Sequence, residues 1–297
     1  MGRALCDAYP VAAELFAQAD QVLNRPLSKL AFEGPLEELT STANCQPALY
    51  VHGLATLAAL KAELTYLPPV AAVAGLSLGE FTAHAAAGTF DFATGLKLVE
   101  ARGRYMEEAC LESAGGMAAV IGAEENVVRG LAADVDVDVA NLNAPGQIVI
   151  SGEAERIALA MAMAKEAGIR KIVALNVAGA YHSRLMEPAY IKLGGELLHT
   201  VFTPPNYPVV CNVDARPVKD ADEIRRTLAE QVTGTVCWQQ SVEYMVDELR
   251  CNLFLELGPD NKLAGMVNRI RKGVEVLSIN DPESLKAAVE RLRQAVE

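Results

Sequence analysis

The sequence predicts an α/β fold in which a large domain carries a smaller inserted one. Its 297 residues are enough to bury a full core. Short apolar strand candidates alternate with longer helical segments, as in mixed α/β proteins. Over residues 117–177 the order is strand–helix–strand–strand–helix–strand, which is typical of a ferredoxin-like unit. We therefore predict a small subdomain at 117–177 and a discontinuous large domain at 1–116 and 178–297.

The individual elements follow from hydrophobic periodicity. Residues 10–22 and 48–64 are predicted as helices, with looser structure between them that includes Pro26, Pro35 and "STANCQP". A helix is also predicted from Gly79 onward. The predicted strands of the large domain are "VAAVA", "YPVVCNV" and "NLFLEL". Those of the insertion are "MAAVI", "VDVDVANLN", "QIVIS" and "KIVALNV", with helices at "EENVVRGLAA" and "EAERIALAMAMAKEAG".

Composition narrows the class of protein. Apolar residues make up 51% of the chain and charged ones 22%, as in a globular protein. The net charge of −12 argues against bulk nucleic-acid binding, although a local basic cluster could still hold an anionic substrate. No membrane span or signal peptide is predicted. Six cysteines without a CxxC pair, and only four histidines, predict reduced thiols in a cytosol-like compartment rather than a zinc cluster.

The stretch "GLSLG", residues 75–79, matches the G-x-S-x-G pattern of a nucleophile elbow. In such an elbow a strand turns sharply into a helix, and small residues at both ends of the motif let the backbones approach. Ser77 would then project as a nucleophile, and the N–H of Leu78 would face the developing oxyanion. The alternative is a capping box in "SLGE", in which Ser77 and Glu80 cap the helix reciprocally. Local sequence alone favours neither.

A serine nucleophile requires a base, and there are four histidines to consider. His84 lies seven residues after Ser77 on the same helix, about 10 Å along its axis, which is too far for a hydrogen bond. His52 lies inside a helical segment, and His199 lies near a helix end, where it suits the dipole. His182 follows a strand in a loop of small residues. It is the leading candidate by elimination, with a structural role left open.

Two groups of basic residues could bind anions. Arg102 and Arg104, in "LVEARGRYM", are either ordinary helix-surface residues or a clamp for a substrate carboxylate. Arg269, Arg271 and Lys272, in "VNRIRKG", are either a solvated helix end or a contact for phosphate or an acidic partner.

Several ordered motifs resemble those of the malonyl-CoA:acyl-carrier-protein transacylases, and the resemblance covers nearly the whole chain. It implies an α/β-hydrolase-like large domain with a ferredoxin-like insertion. The motifs are "AGLSLGEFTAHAAAGTFDFATGLKLVEARGRYM", "NLNAPGQIVISG", "VAGAYHSRLMEPA", "PVVCNVDARPV" and "FLELGPDNKLAGM".

The resemblance also implies roles for individual residues. Ser77 corresponds to the acylated nucleophile, His182 to its base and Arg102 to the arginine that pairs with the malonyl carboxylate. Leu78 supplies one oxyanion N–H through its backbone. The motif "GAYH" is similar to the malonyl-selecting version, which usually has Phe where this sequence has Tyr181.

Three departures from the family pattern are evident. Leu76 stands where members often have His. The base is usually steadied by a carbonyl or amide near "ELGP", and that partner is not identified here. The family normally begins with a strand and a Phe-Pro-Gly-Gln-Gly-x-Gln loop that supplies the second oxyanion N–H, whereas this sequence starts at Met1-Gly2. We therefore expect Met1 to be an internal methionine of a longer gene product.

The activity implied by the resemblance is ping-pong malonyl transfer in fatty-acid biosynthesis. Malonyl-CoA is the donor, and the phosphopantetheine thiol of acyl carrier protein is the acceptor. No metal or organic cofactor, nucleic acid or membrane is implied, and a cytoplasmic monomer is expected, with a plastid location left open. Arg269, Arg271 and Lys272 are candidate contacts for the carrier or coenzyme A. The alternatives are a serine esterase or thioesterase, which would not need the Arg102 clamp, and a non-catalytic carrier-binding remnant.

Overall fold

The strands of this mixed α/β fold form three sheets in the computed structural model, which describes residues 1–64 and 66–294. The strands are β1 (Val73–Ala74), β2 (Gly115–Ile121), β3 (Asp138–Ala144), β4 (Gln147–Glu153), β5 (Lys171–Ala174), β6 (Val209–Val210), β7 (Leu253–Leu257) and β8 (Glu275–Ile279). The first sheet pairs β1 with β6, and the third pairs β7 with β8, both in parallel. The second is a four-stranded antiparallel sheet in the order β3-β4-β2-β5.

Helices form most of the remaining described chain. The predicted helices at 10–22 and 48–64 correspond to α2 (Pro10–Leu23) and α5 (Thr42–Glu63). In chain order the helices are α1 (Arg3–Ala8), α2 (Pro10–Leu23), α3 (Leu27–Glu33), α4 (Leu36–Thr40), α5 (Thr42–Glu63), α6 (Leu78–Ala86), α7 (Phe92–Glu112), α8 (Glu125–Asp134), α9 (Ala154–Met163), α10 (Glu187–Leu198), α11 (Ala221–Glu230), α12 (Trp238–Asp247), α13 (Lys262–Ile270) and α14 (Pro282–Gln294), with a 3₁₀ helix at Arg184–Met186.

The start of α5 corrects the predicted loop at "STANCQP". The helix begins at Thr42 and continues through Pro47. Proline lacks the N–H that would bond to the carbonyl four residues earlier, which here belongs to Ala43. Arg25 Nη2 donates to that carbonyl at 3.4 Å. A side chain from elsewhere in the chain thus compensates for the proline, which a local pattern could not indicate.

The four-stranded sheet has the predicted order of elements, from β2 through α8, β3, β4 and α9 to β5. One face packs on α8 and α9 and forms its own apolar core. The other face places Met117, Ala140 and Val149 against Tyr181, so the sheet lies beside the loop that carries His182. The edge strand β3 also exchanges backbone hydrogen bonds with Val236, which follows α11.

The strands predicted for the large domain differ in length from those in the structure. Only two residues of "VAAVA" and two of "YPVVCNV" pair as strands, because after Val210 the chain turns and Cys211 N donates to Arg216 O at 3.0 Å. "NLFLEL" is confirmed as β7. Strand β8 was not predicted, and its parallel pairing with β7 is a long-range contact. For these strands, pairing with a distant segment sets which residues form the strand.

The six cysteines all lie in the described residues and are free thiols. Burial raises the pKa of Cys6 and of Cys211 to about 11, so both stay protonated and unreactive at neutral pH. Within residues 1–64 and 66–294, no helix combines the length and the apolar character that crossing a bilayer requires.

Candidate active site

Ser77 lies on a tight turn between β1 and α6. Its φ of 55° and ψ of −110° are unusual for a residue with a side chain, so the turn is strained. A Cβ atom added to Gly75 would lie 2.1 Å from the Gly79 carbonyl, so position 75 requires glycine. A Cβ atom at position 79 would meet nothing within 4 Å, so the predicted need for a small residue there is wrong.

The hydrogen bonds of this turn exclude the capping box. The Ser77 side chain makes no cap hydrogen bond to α6. The Ser77 N–H donates to Asn212 Oδ1 at 2.6 Å instead of to the Glu80 carboxylate. Glu80 Oε2 accepts from Asn212 N and Gln231 Nε2. Both halves of the predicted reciprocal cap are therefore absent, and Ser77 Oγ faces other partners.

Ser77 Oγ and His182 Nε2 lie 2.8 Å apart. On the other side of the ring, His182 Nδ1 lies 2.6 Å from the backbone carbonyl of Gln231. Because a carbonyl oxygen only accepts, Nδ1 carries the proton and Nε2 presents its lone pair to the serine hydroxyl. His182 is thus the histidine beside Ser77, while His84 is buried and bonds to Thr89.

The partner of His182, which the sequence left open, is the backbone carbonyl of Gln231 rather than a group near "ELGP". This residue follows α11 and is fully buried. A backbone carbonyl carries no side-chain signature, so no motif could have identified it.

Burial, together with the nearby positive charge of Arg102, lowers the pKa of His182 to about 4. The hydrogen bond to the Gln231 carbonyl acts in the opposite direction. The side chain is only 5% exposed. The imidazole is therefore neutral at pH 7, which is the form that can remove a proton from Ser77.

Arg102 lies on α7 and is 1% exposed, so the surface interpretation of this residue is wrong. Its Nη2 donates to Ser77 Oγ at 2.9 Å and to Gln231 Oε1 at 2.7 Å, while Nη1 donates to Gln46 Oε1 at 2.5 Å. In the described part of the chain Nε has no partner, and no carboxylate lies within 4.0 Å. A buried guanidinium held only by neutral acceptors retains a strong attraction for a carboxylate.

The charge of Arg102 persists at neutral pH. Burial lowers the pKa of the guanidinium only to about 10. Arg104, two residues later, is exposed and lies 4.0 Å from Glu108 on the same helix. Arg102 is therefore the arginine that faces the site, and Arg104 is not.

The packing of α7 on α5 brings Gln46 to Arg102. A Cβ atom added to Gly103 would lie 2.9 Å from the carbonyl of Thr42, so only glycine allows this approach of the two helices. Gln46, Asn212 and Gln231 were all missed by the sequence analysis. Neutral amides have no diagnostic spacing, and these three come from distant segments.

Leu78 is the first residue of α6, at the end where the helix dipole favours negative charge. Among the hydrogen bonds of the described residues, none uses the Leu78 N–H. This donor adjoins Ser77 and matches the position predicted for an oxyanion donor.

The basic cluster at the end of α13 is partly neutralised. Arg271 lies against the carboxylates of Asp247 and Glu243, the latter at 3.4 Å. Arg269 is exposed and donates to the Pro145 carbonyl at 2.8 Å, and Lys272 is exposed. Contact of these residues with a carrier or with coenzyme A stays a prediction.

Comparison with known proteins identifies the family of this chain. A family model described as "Acyl transferase domain" matches residues 1–275. The chain belongs to this acyl transferase family. The malonyl CoA-acyl carrier protein transacylase of Bacillus subtilis (strain 168) is 37% identical over 299 residues, which cover 99% of this chain and 93% of that relative.

Solved structures of acyl transferases also match over nearly the whole chain. The acyl-carrier-protein-S-malonyltransferase of Bartonella henselae has a TM-score of 0.94 and 35% identity, covering 99% of this chain and 95% of that one. A malonyl-transacylase in complex with the acyl carrier protein of a type II PKS has a TM-score of 0.93 and 36% identity, covering 98% and 94%.

Proposed function

We propose that this acyltransferase moves a malonyl group from malonyl-CoA to the phosphopantetheine thiol of acyl carrier protein. The observation that carries the proposal is the buried Arg102 guanidinium, which donates to the same Ser77 Oγ that faces neutral His182. A carboxylate anchor thus adjoins a serine and its base. The named relatives, which are malonyl transferases, support the same substrate.

In the first half-reaction His182 Nε2 removes the Ser77 hydroxyl proton while Oγ attacks the thioester carbonyl of malonyl-CoA. The Leu78 N–H stabilises the oxyanion, and Arg102 holds the malonyl carboxylate. The C–S bond then breaks, and His182 returns its proton to the departing thiolate of coenzyme A. The product is a malonyl-serine ester on Ser77.

The second half-reaction reverses these steps with a different thiol. His182 removes the proton of the phosphopantetheine thiol, whose sulfur attacks the malonyl-serine carbonyl. The ester C–O bond breaks, and His182 returns the proton to Ser77 Oγ. The comparisons favour neither a serine esterase nor a non-catalytic remnant.

We also propose the finer description of the fold, with an α/β-hydrolase-like large domain at 1–116 and 178–297 and a ferredoxin-like subdomain at 117–177. The separate apolar core beneath the four-stranded sheet supports this division. We further propose a monomer that needs no metal or organic cofactor and works in the cytoplasm. The six free thiols support a reducing compartment.

A transfer assay tests the function. Malonyl-CoA labelled in the malonyl group is incubated with the protein and a phosphopantetheinylated carrier, taken in parallel from fatty-acid and polyketide synthesis. We expect label on a carrier, and the preferred carrier assigns the pathway. Release of free malonate at the same rate with or without carrier would indicate a hydrolase instead.

Replacing Arg102 by alanine is expected to reduce kcat/KM for malonyl-CoA by about 30- to 4,000-fold, because truncating one partner of a buried charge pair costs about 2–5 kcal/mol. The loss with acetyl-CoA should be much smaller, since acetyl has no carboxylate. Arg104→Ala, on the exposed face of the same helix, is the matched control and should change neither value. Equal losses with both substrates would contradict the carboxylate role.

The rate should also report the lowered pKa of His182. We expect kcat/KM to stay constant from pH 7 to about pH 5 and to fall near pH 4, because only the neutral imidazole accepts the serine proton. The unfolded chain protonates this histidine near its ordinary pKa of about 6.5, so the free energy of unfolding decreases as pH falls from there toward 4. Far-ultraviolet circular dichroism would check folding at each pH, and an acid limb near 6.5 in folded protein would refute the assignment.

A further inference from the structure

The carboxyl group of Glu80 lies inside the site but takes no part in the proposed mechanism. Its side chain is 0% exposed on the first turn of α6. In the described residues Oε1 has no partner, and no cation lies within 4.0 Å of the group. Burying such a group without a counter-ion costs free energy, so its retention calls for a physical explanation.

The two hydrogen bonds of Glu80 Oε2 reach both segments that arrange the serine and the histidine. One comes from the backbone N–H of Asn212 at 3.1 Å, and the other from Gln231 Nε2 at 2.7 Å. Asn212, just after β6, accepts from Ser77 N and donates to Gly75 O at 2.7 Å, which fixes the elbow. The Gln231 carbonyl accepts from His182. One carboxyl oxygen therefore joins the supports of Ser77 and His182.

Glu80 also determines which way the Gln231 amide points. The amide oxygen accepts from Arg102 Nη2 at 2.7 Å, and the amide nitrogen donates to Glu80. In the opposite orientation the NH₂ group would face the guanidinium donor, and the amide oxygen would face the carboxyl oxygen. With an acceptor at Glu80, only the observed orientation satisfies both neighbours.

We propose that Glu80 is a positioning residue that, through Oε2, fixes Gln231 and Asn212 and so sets the alignment of His182, Ser77 and Arg102. This inference rests on the proposed malonyl transfer, because it concerns the same site. Glu80 touches neither substrate nor reacting atoms, so its effect is on kcat through geometry.

The charge state of Glu80 adds a second readout. Burial raises the pKa of Glu80 to about 8. The hydrogen bonds from Asn212 and Gln231 and the charge of Arg102 act in the opposite direction and lower it. The titratable groups facing it are Arg102 on α7 and Cys211 and Asp214 after β6. At neutral pH Glu80 is a neutral acid with its proton on Oε1, so Oε2 still accepts both hydrogen bonds. Above its pKa, the new negative charge competes with the malonyl carboxylate for Arg102.

Two variants separate geometry from charge. Glu80→Gln keeps an oxygen at the Oε2 position and cannot ionise. Its NH₂ group takes the place of Oε1, the oxygen that has no partner among the described residues of the wild type. Glu80→Leu fills similar space and accepts no hydrogen bond. At pH 7 we expect the Gln variant to stay near the wild-type kcat and the Leu variant to lose about 10²-fold, the usual cost of a displacement of about 1 Å at a catalytic site.

The matched control is His84→Ala, one turn later on α6. His84 is also 0% exposed and bonds to Thr89, away from the site. We expect this variant to lower Tm while retaining kcat per folded molecule. If Glu80→Leu and His84→Ala lose kcat only in proportion to the fraction unfolded, Glu80 has a merely structural role and the proposal fails.

A second experiment measures KM against pH in the wild type and in Glu80→Gln. It does not use Glu80→Leu, so it remains informative even if that variant does not fold. With malonyl-CoA, KM of the wild type should rise above about pH 8, while KM of the Gln variant stays flat; with acetyl-CoA both should stay flat. The same rise in both proteins would overturn the proposal. If wild type transfers no malonyl group at all, the proposed function fails instead, so the two failures are distinguishable.

Discussion

Replacing Ser77 by alanine is expected to reduce malonyl transfer by about 10⁴- to 10⁶-fold, to the level left by binding and the oxyanion donor alone. The reason is that Ser77 Oγ is the atom bonded by both His182 and Arg102, and alanine leaves neither a nucleophile nor a site for the acyl group. Steady-state transfer to the carrier, measured with purified protein, checks the rate.

The fold should survive this change. The Ser77 N–H donates to Asn212 Oδ1, its carbonyl accepts from Gln231 Nε2 and from Glu80 N, and all three bonds remain in the alanine variant. Ser113→Ala, at the end of α7, removes only a bond to the Ala109 carbonyl and is the control. A Ser77→Ala protein that transfers malonyl at more than about a hundredth of the wild-type rate would exclude the covalent mechanism, given the size of such effects.

Replacing His182 by alanine should cost nearly as much, because the other described side chain that faces Ser77 Oγ with nitrogen, Arg102, is protonated at neutral pH and cannot act as the base. Since nucleophile and base act as one unit, the double variant Ser77→Ala/His182→Ala should be about as slow as either single variant. Rapid-quench measurement of acylation by malonyl-CoA gives the rate of the step that needs the base.

His199→Ala is the matched control for this experiment, since His199 lies beyond α10 and outside the site. It should leave both half-reactions unchanged. Loss of acylation in His182→Ala with normal transfer from a pre-formed malonyl-serine would contradict the mechanism, because His182 serves both half-reactions.

The three proposed reacting groups could be predicted from the sequence because each lies in a pattern with a chemical reason. Ser77 lies in an elbow that needs Gly75, and the structure gives both the strained φ and the close approach. His182 and Arg102 followed from ordered motifs, and both contact Ser77 Oγ. The capping-box alternative used the same letters and could be excluded only by the distant partners of Glu80.

The residues that support the reacting groups could not be predicted. Gln231 acts partly through its backbone carbonyl, and Asn212 reaches Ser77 across 135 positions of sequence. Such contacts depend on how β6 and α11 pack against α6, which no local spacing encodes. The short strands have the same origin, because β1 and β6 are defined by pairing with each other rather than by their apolar runs.

Intact-protein mass spectrometry after mixing with malonyl-CoA tests the central claim most directly. The account predicts one added malonyl group per chain, mapped to the peptide containing Ser77 and removed when a phosphopantetheinylated carrier is added. An adduct that persists in Ser77→Ala, or malonate release by the wild type with no adduct at any time, would contradict the account.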